Sequence, residues 1–152
     1  KVAYFVRNAG KARTTGIETS ALWQATPELS FNAGAAYNKA KFVSFQNAQC
    51  YALLQGTPAC DPVTGYDRSG QALPRAPKTT FSGGFNYETP ISDSLKIGLG
   101  GDAIHTSSYV ISETGDPNTN QKGYWRLNAN LRVVTPAEFT AWLAAKEKAA
   151  RP

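Results

Sequence analysis

Methionine is absent from this 152-residue chain, histidine occurs once and cysteine twice. Long apolar runs are missing too. No stretch approaches the roughly 18 uncharged apolar residues that a transmembrane helix needs. That excludes a helical membrane protein but leaves a barrel open, because barrel strands alternate and score weakly on hydropathy. Aliphatic residues are few, while Gly, Ala, Ser, Thr, Asn and Tyr dominate, which is not the composition of an ordinary soluble core. Acidic residues number 11 against 16 basic ones, for a net charge of +5. The basic residues Lys11, Arg13, Lys39, Lys41, Arg75 and Lys78 are scattered and form no basic helix or stripe, so nucleic acid is not an expected partner. A signal peptide is also lacking, because Lys1-Val2-Ala3-Tyr4-Phe5-Val6 already reads as mid-strand. Either an export signal lies upstream in a longer protein, or export does not apply.

With one histidine and two cysteines, a four-ligand zinc site built by this chain alone is not expected, and no cofactor is implied. Cys50 and Cys60 lie close together in a segment rich in turn formers. A loop-stapling disulfide in an oxidising compartment is the preferred reading, and two free thiols are the alternative.

What is present is alternation. Leu29, Phe31, Ala33, Ala35 and Tyr37 alternate with Ser30, Asn32, Gly34 and Ala36, and Ile17, Thr19, Ala21 and Trp23 do the same over Gly16 to Gln24. Period two places one set on an apolar face and the other on a polar or small face. Ala25-Thr26-Pro27-Glu28 leaves room for a tight hairpin between them. From Val43 to Arg75 periodicity stops, and Gly56, Pro58, Pro62, Gly65, Gly70 and Pro74 punctuate a long loop. Strand character returns at Pro77, with Thr79, Phe81, Gly83, Phe85 and Tyr87 on one face. Thr89 to Ser94 is a second short turn. The next strand carries Leu95, Ile97, Leu99, Gly101 and Ala103 and runs to about Val110; Ser112 to Lys122 is a second longer loop. The last strand sets Trp125, Leu127, Ala129, Leu131 and Val133 against Tyr124, Arg126, Asn128, Asn130 and Arg132. Lys1 to Arg7 adds a partial strand, with a bend or bulge around Asn8 to Lys11.

Turns therefore alternate short and long between strands of ten or more residues, well above the usual five or six. The fold expected is all-β: an antiparallel up-and-down meander of five or six long strands. Aromatics cap the apolar set near the strand ends, Trp23 and Tyr87 by the short turns, Tyr37, Tyr109 and Trp125 towards the long loops. Two aromatic girdles around an apolar band describe part of a transmembrane β-barrel. On that reading Trp23, Phe31, Tyr37, Phe81, Phe85, Tyr87, Tyr109 and Trp125 face lipid or its boundary. Glu18, Asn32, Asn86, Asp102, Arg126 and Asn128 face the lumen, where such groups are tolerated. The alternative is a soluble antiparallel β-barrel or sandwich acting as a binding module, with the apolar face inward.

Several stretches in order resemble TonB-dependent receptors, the outer-membrane importers of siderophores, cobalamin and sugars. They are Asn8-Ala9-Gly10-Lys11-Ala12-Arg13-Thr14-Thr15-Gly16-Ile17-Glu18, the Pro-containing turn after it, Tyr37 with Ala40-Lys41-Phe42, and Leu73-Pro74-Arg75-Ala76-Pro77-Lys78. The resemblance covers Lys1 to about Val133 and corresponds to a late part of the C-terminal barrel. It implies a bacterial outer-membrane location, short turns on the periplasmic side, long loops outside, and energised uptake of a scarce nutrient. It also implies partners that this segment lacks: a plug domain and the TonB complex.

The tail departs from that pattern, dividing the chain into a partial barrel over 1–134 and a helical segment over 135–152. Thr135-Pro136-Ala137-Glu138 has the residues of a capping box with Pro at the first helical position. Phe139, Trp142, Leu143 and Lys146 then fall on one face of a C-terminal α-helix. The helix is read either as an amphipathic cap or as the product of a frameshift or fusion near Val134. Catalysis is not expected. His105 shares its strand face with Ala103 and Ser107 while Asp102 points to the other side, so these residues cannot form a direct Ser-His-Asp relay on one strand.

Overall fold

The computed structural model describes residues 10–92 and 95–135. Five long strands form one sheet: β1 (Lys11–Gln24), β2 (Leu29–Ser44), β3 (Thr79–Ser92), β4 (Leu95–Thr106) and β7 (Tyr124–Val134), in the order β1-β2-β3-β4-β7. Sequence order equals spatial order, as a meander requires. Between β4 and β7, the two-residue strands β5 (Tyr109–Val110) and β6 (Asn120–Gln121) make a separate antiparallel ribbon, joined through a short 3-10 turn at Pro117–Thr119.

Two boundaries differ from the sequence expectation. The second short turn is tighter, because β3 runs on through Thr89-Pro90-Ile91-Ser92 and β4 starts at Leu95. The strand expected to reach Val110 stops at Thr106. There Ser107 closes the ladder against β3: its N–H donates to Thr79 O at 3.0 Å and its Oγ accepts from Thr79 N at 3.0 Å. Tyr109 and Val110 turn to Gln121 and Asn120 instead, and Arg75 N donates to Val110 O at 2.7 Å. Tyr109 is thus in the ribbon and not in the five-stranded sheet. The partial strand over Lys1 to Arg7 and the helix from Pro136 onward lie outside the described residues.

The chain divides into two compact units. One comprises Lys1–Thr19, Ala35–Phe81 and His105–Trp125, and holds both long loops. Its buried side chains are Phe42, Ala48, Cys50, Cys60 and Arg68. The other comprises Ser20–Gly34, Ser82–Ile104 and Arg126–Pro152, and holds the short turns. There the Ala25–Glu28 turn is closed by Ala25 N donating to Leu29 O at 2.9 Å. The Thr26 hydroxyl adds to it by accepting from the N–H groups of Glu28 and Leu29.

Candidate functional site

In the loop unit, a small folded module replaces the structureless loop that composition suggests. Cys50 and Cys60 are disulfide-bonded, with Cα atoms 6.0 Å apart, as preferred over free thiols. Asp61 makes the turn beside the bridge, its Oδ1 accepting from Val63 N at 2.8 Å and Thr64 N at 2.7 Å. Ala48 and Tyr66 then pair as an isolated bridge, exchanging both backbone bonds at 3.0 Å. The returning segment docks along the end of β2: Phe42 N donates to Gln71 O at 3.0 Å and Leu73 N to Ala40 O at 3.1 Å.

Arg68 is the centre of this module. It is 1% exposed, the largest fully buried side chain among the described residues. Its guanidinium lies over the Phe42 ring at 5.0 Å, and Phe42 packs on Phe45 at 4.9 Å. Nε donates to Gln71 Oε1 at 3.1 Å, and Nη1 donates to the Glu113 carbonyl of the second loop. Beside it the Tyr66 hydroxyl donates to Thr114 O. A buried cation is costly unless its donors are satisfied. Here Nε and Nη1 find acceptors in two different loops, so Arg68 and Tyr66 bind the loops to each other. Burial pushes the Arg68 guanidinium down and the Tyr66 phenol up from their ordinary values. Gly115 completes the fit: its φ is +74°, and a Cβ there would stand 2.8 Å from the Arg68 guanidinium.

Sequence reasoning missed Arg68, which lies in a stretch without periodicity. The one signal was Phe42. It occupies a position of the polar set on β2, so it needed a partner on that face.

In the turn unit the two faces separate as the alternation requires. On the polar side, Asn32 packs against Gly84, Asn130 against Gly100, Asn128 Nδ2 donates to Asp102 Oδ2 at 2.8 Å, and Arg132 pairs with Glu88. Asn86 keeps the parity of Gly84 and Glu88, and Arg126 that of Asn128. On the other side Trp23 stacks on Phe31 with ring centroids 5.6 Å apart. Phe85 covers Gly101, where a Cβ would come within 2.9 Å of its ring. Phe31, Phe85, Leu99, Ala103, Leu127 and Ala129 border one shallow apolar hollow there. Tyr87, also on this side, is exposed.

The loop unit carries the other predicted aromatics. Phe81, His105 and Trp125 form a row, with centroids 6.4 Å and 4.9 Å apart in turn. His105 is therefore a member of an aromatic stripe. Tyr37 and Ile17 are exposed and border one groove with Phe81, while Glu18 has the opposite parity to Ile17 on β1. Among the described residues no group of His, Cys, Asp and Glu could hold a metal ion.

Long antiparallel strands with an exposed apolar face and a hydrogen-bonded polar face are the features of the wall of an outer-membrane type of β-barrel. The TonB dependent receptor-like beta-barrel family matches residues 2–143, and the chain belongs to that family. Its members are outer-membrane receptors for nutrient uptake rather than enzymes. The match runs past Val134, so the family likeness extends further into the tail than the sequence reading set it. No curated protein and no solved structure matches the chain.

Proposed function

We propose that this chain supplies part of the barrel wall and two outer loops of a receptor for energised uptake of a scarce nutrient of the siderophore, cobalamin or saccharide class. The observation that carries this is the two-faced strand wall ending in the loop pair tied by Arg68. Trp23, Phe31, Tyr37, Phe81, Phe85 and Trp125 form the lipid-facing set, with Tyr87 at the periplasmic boundary. Tyr109, in the ribbon, belongs to the outer loops. Glu18, Asn32, Asn86, Asp102, Arg126 and Asn128 line the lumen, where a plug domain sits in the complete protein.

The pre-folded loops suit ligand capture, because a rigid surface loses less conformational entropy on binding than a free loop of the same length. The test is uptake of a ferric siderophore, cyanocobalamin and a maltooligosaccharide by cells bearing the complete protein. Uptake of one of them that collapses with the proton gradient supports the reading. Gradient-independent uptake, or uptake of none, overturns it. The soluble binding-module alternative predicts instead a stable, detergent-free monomer of this chain by light scattering.

A further inference from the structure

Among the described residues, Gly56, Gly65, Gly70 and Gly115 have a backbone φ in the left-handed region, and all four lie in the loops. Arg75 joins them, with φ +55°. In that region a Cβ crowds the following carbonyl oxygen, a penalty that glycine escapes. Asn and Asp relieve it with a short polar side chain, which arginine does not have. Glycine would therefore serve the fold better at this position, and what the chain keeps instead is a guanidinium. Strained residues persist where their surroundings hold them, and they gather at ligand clamps and switch regions.

The backbone of Arg75 is held in this way. Pro74 and Pro77 stand on either side of it, each with its φ fixed by the ring. The Arg75 N–H donates to Val110 O of the ribbon at 2.7 Å. Its side chain, by contrast, is exposed and makes no ion pair or hydrogen bond with a described residue. In the first loop, over residues 45–77, it is the one exposed cation: Arg68 is buried, and Asp61 and Asp67 are acidic. A guanidinium on an anchored backbone is a pre-positioned fork, and its N–H donors match the two oxygens of a carboxylate.

We propose that Arg75 is a specificity-determining residue of the receptor, binding a carboxylate of the imported molecule at the loops. The assignment rests on the uptake reading and narrows its ligand to an anionic, carboxylate-bearing one. Anchoring the backbone to Val110 reduces the entropy lost when the contact forms.

The experiment uses the complete membrane-extracted protein in a non-ionic detergent, titrated calorimetrically with ferric citrate as the carboxylate-rich probe. Cyanocobalamin and maltohexaose are run beside it. The wild type should bind ferric citrate, and Arg75→Gly should bind it at least about tenfold more weakly, the range of a lost charge-assisted contact. Arg75→Lys, which keeps the charge but not the fork, should fall between them. Lys122→Gln, which removes an exposed cation of the second loop, should leave the affinity unchanged. Hydrogen exchange separates recognition from folding. Because glycine fits the left-handed backbone, Arg75→Gly should keep the protection of residues 48–66. Loosened loops in that variant would make Arg75 a structural residue and overturn the proposal. So would equal affinity of wild type and Arg75→Gly, an equal loss in Lys122→Gln, or failure of the wild type to bind ferric citrate. Gradient-dependent uptake of cyanocobalamin or maltohexaose alone sinks this assignment and leaves the uptake reading standing, whereas uptake of none of the three sinks both.

Discussion

The loop unit and the turn unit keep their polar groups in opposite places. In the loop unit a charged residue, Arg68, is at the centre and is 1% exposed, held by Phe42, the Gln71 side chain and the Glu113 carbonyl of the second loop. In the turn unit the apolar residues are outside: Trp23 is 65% exposed, Leu127 72% and Leu131 66%. The first carries its own core; the second has its apolar face covered by nothing among the described residues. On the proposed reading, such a sheet is completed by lipid on its apolar face and by further strands at its edges β1 and β7. The loop module is held by a disulfide, a buried cation and reciprocal backbone bonds.

This contrast can be broken most sharply at Ala33. On the proposed orientation, Ala33→Arg puts a guanidinium into mid-bilayer and should cost roughly 2–4 kcal/mol in a vesicle refolding titration of the complete protein. Asn32→Arg, one residue away on the polar side, should cost much less. Equal costs would show that the two faces do not meet different solvents. Spin labels reporting water at 33 and lipid at 32 would reverse the assignment.

The disulfide tests the other unit. Replacing Cys50 and Cys60 with Ser frees a loop of sequence separation 10 and should cost at most about 3 kcal/mol of local stability. Hydrogen exchange should quicken over residues 48–66 and stay unchanged over 126–134. If the strand region quickens as much, the loop is not an independent module. A somewhat smaller effect, about 2 kcal/mol, is expected of Arg68→Met, which keeps much of the packing on Phe42 and leaves the Glu113 carbonyl without its donor. Its signature is faster exchange in both loops at once, because Arg68 ties one to the other.

The two units also differ in how much of them was legible in the sequence. The strand wall was nearly transparent. Alternation such as Phe31/Asn32/Ala33 fixes faces, and Ala25-Thr26-Pro27-Glu28 fixes a hairpin, since both signals act over a few neighbouring residues. The end of β4 was opaque because residues 107–110 still look like strand. Their partner is decided by Ser107 meeting Thr79, 28 residues away. Arg68 was hidden for the same reason, with its acceptor Glu113 lying 45 residues downstream.

The smallest expected effect concerns acid. Asp61 and Asp67 are exposed turn residues of the loop module. Backbone N–H groups of Thr64 and Val63 hold the Asp61 carboxyl below the ordinary carboxylate range. The hydroxyl and N–H of Ser69 do the same for Asp67. A depressed folded-state pKa means that each group stabilises the turn above its unfolded value near 4 and loses that contribution as pH falls through the folded value. Lowering pH from about 5 to about 3 should therefore lower the protection of the Val63, Thr64 and Ser69 amides relative to their intrinsic exchange rates at each pH. In D61N/D67N the side-chain acceptor remains while the titrating charge is gone, so the acid dependence at these amides should flatten with the turns kept. An unchanged acid dependence in that variant would mean that some other group opens the loops, and that the two aspartates only shape the turns.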